Sequence, residues 1–82
     1  MMPKITYYVA MPFIHDDDGA LTAREATECP NPKLAVARAS DMAHSKASAV
    51  AFSRTGDPEL GEFDPAVVLA TFGEVPEDLS EL

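Results

Sequence analysis

Two stretches of the chain gather acidic side chains around a glycine, an arrangement that can offer oxygen ligands to a hard cation. The first is 14-IHDDDGALTARE-25. With Gly19 at the sixth position of a calcium loop, Asp16 falls third, Asp18 fifth, Leu21 eighth, Thr22 ninth and Glu25 twelfth. The first position is Ile14, which brings no carboxylate, and Pro12 and β-type residues stand where the template needs a helix. Asp18-Gly19 instead suits a type I′ turn between two strands. The stretch therefore reads as a hairpin turn kept soluble by its aspartates, with no metal or cofactor expected.

The second stretch is 53-SRTGDPELGEFD-64. Arg54, Thr55 and Asp57 surround a glycine at a strand end, where polar groups can converge on a ligand. Asp57, Glu59, Glu62 and Asp64 offer four carboxylates. Loops carry function more often than the elements they join, so these six residues form the candidate ligand or partner loop. The competing reading is a solvated turn with two proline-capped bends.

Other reactive side chains are poorly placed for joint chemistry. Cys29 precedes a helix N-terminus, where a thiol can become reactive, but His44 lies about four helical turns further on. His15 and His44 share no metal-ligand spacing. There is no G-x-S-x-G, phosphate-binding loop, dinucleotide fingerprint or paired-carboxylate helix. The expectation is a protein that is not an enzyme.

The elements that position these residues follow from periodicity. In 4-KITYYVAMPFI-14, Ile5, Tyr7, Val9 and Met11 alternate with Thr6, Tyr8 and Ala10, as a strand requires. Residues 21–28 form a second, polar strand whose Arg24, Glu25 and Glu28 suit an edge. In 29-CPNPKLAVARASDMAHSKA-47, Asn31 suits an N-cap and Pro32 the first helical position. Ala35, Val36, Ala39, Met42 and Ala43 then make an apolar stripe whose alanines allow close approach to a sheet. Segments 47–55 and 66–75 read as two further strands, separated by the Gly-, Pro- and Asp-rich 56–65. In the simplest topology the two acidic loops sit at opposite ends of the sheet.

The predicted order is β-β-α-β-β, a two-layer α+β fold with one helix on one face of a mainly antiparallel four-stranded sheet. Residues 1–82 form a single domain, with 76–82 as a short helical turn or a tail. One helix covers one face, yet Val67 and Leu69 point one way while Val68, Ala70 and Phe72 point the other. The uncovered apolar face is expected to be a homodimer surface.

Composition narrows the partners. The net charge is −8, from 14 acidic and 6 basic residues. Lys4, Arg24, Lys33, Arg38, Lys46 and Arg54 are scattered, so no basic stripe tracks a phosphate backbone and direct nucleic-acid binding is not expected. No apolar run reaches the roughly 18 residues of a membrane span, and no signal-peptide pattern opens the chain, so a cytoplasmic protein is expected. The single cysteine excludes an internal disulfide and a cysteine-rich zinc site. The acidity favours a protein partner, either a second copy or a basic protein.

Two resemblances add to this reading. Segments 50-VAFSRTGDPELGEFD-64 and 66-AVVLATFGEVPEDL-79, with the opening YYVA-P-F, look like those of small bacterial proteins of similar length with no established function. Separately, 7-YYVA-10, 17-DDG-19 and 34-LAVARASDMA-43 resemble the N-terminal half of HicB-type antitoxins. The third strand of that family, with its Phe-Pro-Asp-Leu-Pro-Gly-Cys pattern, survives only as 29-CP-30, and there is no DNA-binding appendage. That resemblance implies an acidic protein that masks a basic partner.

Overall fold

The computed structural model describes residues 4–76. Strand β1 spans Ile5–His15, β2 Leu21–Ala23 and β3 Thr27–Cys29. Helix α1 follows at Pro32–Ser45, then β4 at Ser48–Asp57, β5 at Glu62–Phe63 and β6 at Val67–Gly73. The fold is α+β, with one helix and a six-stranded sheet in place of the four strands expected. Every registered pair is antiparallel.

The centre of the sheet is the long pairing of β1 with β4, from Ile5↔Gly56 to Phe13↔Ser48. Because β4 takes one edge of β1, β2 and β3 share the other. In the same way β5 and β6 share the outer edge of β4. Strands β3 and β4 both run antiparallel to β1, so they are parallel to each other and α1 forms the crossover between them.

The expected strand over 21–28 is broken for a local reason. Phe13 pairs with Ala23 and Ala10 with Thr27, leaving Arg24, Glu25 and Ala26 opposite only Met11 and Pro12. Pro12 has no N–H to donate, although its carbonyl accepts from Arg24 N at 2.9 Å. The extra residue is a bulge, which kinks this edge and shortens what it presents. Strand β5 lies inside the stretch read as a turn, where Glu62 and Phe63 pair back onto Asp57 and Gly56.

Helix α1 starts as its sequence requires. Asn31 Oδ1 accepts from Leu34 N at 2.8 Å, and Pro32 follows where no intrahelical N–H is needed. The buried side of the helix is narrow: Ala35 and Ala39 pack on Ala10, Ala49 and Ala51, and none of the five is exposed at all. Tyr8, Cys29, Val36, Met42, Ala43 and Phe72 ring this layer.

The large side chains lie on the opposite face. The register puts Val9, Met11 and Phe13 there with Val50 and Phe52. This face is not the open apolar surface that one helix and four strands imply. Phe13, Val50 and Phe52 are buried, and Leu21, Ala66 and Val75 pack against them. Each such side chain removed from water contributes about 1.5–3 kcal/mol, so this second cluster matters to stability as much as the helix contact does. The proposed helical turn at 76–82 lies outside the described residues beyond Pro76.

One buried group is a liability. Ser48 is fully buried on the Phe13 side of the sheet, and its hydroxyl has no hydrogen-bond partner. Ser48→Ala is expected to raise the unfolding free energy by about 1 kcal/mol, because it removes an unsatisfied polar atom without opening a void. Ala39→Leu is expected to lower it by about 1–3 kcal/mol by forcing the helix off the sheet. Urea denaturation followed by circular dichroism checks both, and a destabilised Ser48→Ala chain would contradict the burial argument.

Candidate functional surface

The first acidic stretch is a closed hairpin. Asp16 N donates to the Ala20 carbonyl and Gly19 N donates to the Asp16 carbonyl, both at 2.9 Å. Gly19 has φ +83°, while no non-glycine residue has positive φ among the described residues. Asp18 therefore does not adopt the expected type I′ geometry. The turn is a three-residue loop completed by a left-handed glycine. The Asp16 carboxylate holds that loop: Oδ1 accepts from Asp18 N at 2.9 Å and Ala20 N at 3.0 Å, and Oδ2 from Thr22 Oγ1 at 3.4 Å. An acid spent on its own backbone is a turn former, consistent with the hairpin reading.

The second stretch places its six candidate residues in separate roles. Successive strand residues face opposite ways, so Arg54 and Thr55 lie on different sheet faces and do not converge. Thr55 Oγ1 meets Thr6 Oγ1 at 2.8 Å. Asp57 Oδ1 accepts from Glu59 N at 2.9 Å and Leu60 N at 3.4 Å, and Gly61 N closes the turn onto the Asp57 carbonyl. Asp64 reaches Lys4 Nζ at 3.5 Å in an exposed ion pair, worth about 0–1 kcal/mol. Glu59 and Glu62 are exposed and make no ion pair among the described residues. No three or more His, Cys, Asp or Glu gather as a metal-binding group among the described residues.

Only Arg54 of the six enters a cluster. It stands across from Tyr7, and its guanidinium carbon lies 5.9 Å from the Phe63 ring centre. Phe63 covers Gly56, the one residue type that leaves it room, since a Cβ there would overlap the Glu62 carbonyl and the ring itself. Cys29 is half-buried against the alanine layer, with Sγ donating to the Thr27 carbonyl at 3.8 Å. His44 is exposed in the last turn of α1.

Sequence reasoning missed one surface and flagged a second only as part of a sheet face. The first is an open groove of about 560 Å³ between α1 and the β2–β3 bulge, with Glu25, Arg38, Asp41 and Lys46 among its lining residues. Arg24 joins Lys46 at an adjoining hollow of about 470 Å³. Half of the chain's six basic residues thus meet here, unannounced by their sequence spacing. Glu25, Asp41 and the negative end of the α1 dipole largely cancel them, so the groove favours neither sign of charge.

The second surface is β6. The run 66-AVVLATFG-73 contains no charged residue. Val67 is 59% exposed, Val68 44% and Leu69 36%. Its inner edge pairs with β4, and its outer edge pairs with no strand among the described residues. Phe52 registers with Val68 and Ala51 with Ala70, so Leu69 is an extra residue bulged out of the ladder. The signal for this edge was present in the sequence, as a strand apolar on both faces with no gatekeeping charge.

No protein-family model matches the chain, and no curated protein or solved structure does either. Gly56→Val is expected to destabilise the chain by about 2 kcal/mol or more by displacing Phe63 and β5. Thermal or urea denaturation reads the loss, and a wild-type midpoint would show that β5 does not need this close approach.

Proposed function

We propose that this chain is a small acidic interaction module of the cytoplasm, without catalytic activity, whose partner is a second copy held at β6. One observation carries the reading: the outer strand is uncharged from Ala66 to Gly73 and exposes Val67, Val68 and Leu69 beside an edge that pairs with no strand among the described residues. Charged residues blunt the other outer edge, where Arg24 and Glu25 stand in the bulge and Glu28 in β3. At about 3.3 Å per residue, the seven residues of β6 offer roughly 23 Å of edge, enough for a short two-fold strand contact. Two copies each of charge −8 repel one another. A contact made along a strand that carries no charge meets that repulsion only from acids outside it, and physiological salt screens them over about 8 Å.

Size-exclusion chromatography with light scattering is expected to give a dimer mass at high micromolar concentration, and a sharp monomer mass would overturn the reading. Val68→Lys is expected to yield a folded monomer, with unchanged circular dichroism, because it buries an unpaired charge in the contact. The −8 charge favours a second reading, an antitoxin-like module that masks a basic protein. That complex would dissociate at about 0.5 M salt, where surface attraction is largely screened, whereas the β6 contact would persist.

A further inference from the structure

The cluster around Arg54 has the makings of a second recognition surface, separate from β6 and independent of the dimer. Register places Ile5, Tyr7, Arg54 and Phe63 together on the sheet face opposite α1, at the end where β5 pairs with β4. Ile5 and Phe63 are each 40% exposed. The Tyr7 and Phe63 rings lie 6.1 Å apart, tilted at 48°, and the Arg54 guanidinium sits beside Phe63. Arg54 Nε is sealed from water without a hydrogen-bond partner, and no acid pairs with this guanidinium among the described residues.

We propose that this patch binds an extended segment of a partner protein through one carboxylate flanked by apolar side chains, with Arg54 as the charge-reading residue. Three features of the site select that partner. A guanidinium presents a planar fork of donors that matches a carboxylate, and the ring beside it limits the orientations it must lose on binding. Its hydration is already incomplete, so an incoming acceptor displaces less water than it would at a free lysine. The surroundings are aromatic and aliphatic, the mixture of Tyr, Phe and Arg that concentrates binding energy at interface centres.

The test uses the whole isotope-labelled chain and two peptides, acetyl-Leu-Glu-Leu-amide and its Gln isostere. The Glu peptide is expected to shift the Arg54 Nε–H and the amides of Tyr7, Arg54 and Phe63 saturably. The Gln peptide is expected to bind roughly tenfold more weakly, the loss of one charge-assisted pair. Arg54→Met keeps the apolar stem over Phe63 and is expected to abolish the difference between the peptides, with the oligomeric mass unchanged. Equal binding of the two peptides, no saturable shift at the patch, or undiminished discrimination by Arg54→Met would each overturn the proposal.

Discussion

The contact on which this fold depends is made almost entirely of alanine. Ala35 and Ala39 of the helix meet Ala10, Ala49 and Ala51 of the two central strands, and all five are sealed from solvent. Alanine gives up no side-chain rotamer freedom on burial, so a thin layer costs little to order. It is also a poor strand former, which shows that Ala49 and Ala51 serve helix approach rather than local β preference. Close packing at this layer leaves no room for growth: one added methylene group must move a whole element.

A chain of this size cannot bury enough surface on one side of a sheet alone. The larger residues of the same strands therefore point the other way, where Phe13, Val50 and Phe52 form a second cluster. Strict alternation along β1 and β4 divides small from large between the two faces. The cover for the second cluster comes from Leu21, Ala66 and Val75, at the margins of the outer strands. Helix and margins hold the central pair from both sides, and most large apolar residues left exposed lie at β6 or near Phe63, with Leu34 apart on the helix.

How much of this was legible follows the range of the interactions. The period-two pattern from Ile5 to Met11, the Asn31-Pro32 start and the Ala35–Ala39 stripe are local signals, and each appears in the structure as its spacing implies. The split of the second strand depends on Pro12 facing Arg24, a pairing that propensity along 21–28 does not contain. Strand β5 hides in a Gly-, Pro- and Asp-rich stretch because its pairing needs Gly56 to accept a ring. The six candidate residues at 54–64 looked convergent along the chain, yet alternation alone sends Arg54 and Thr55 to opposite faces. Grouping by sequence distance concealed what counting by two would have revealed.

The bulge at Arg24–Ala26 has a consequence for stoichiometry. A sheet with two pairable edges can add copies at both sides and grow without end, as cross-β assemblies do. Here one margin is interrupted, kinked and charged, while on the other β6 carries no charge from Val67 to Gly73, although it too is bulged, at Leu69. A molecule with one usable side can terminate another but cannot extend it, so any strand-to-strand assembly it forms closes at two members. The proline that breaks β2 from β3 would thus act as a chain stopper in the proposed dimer.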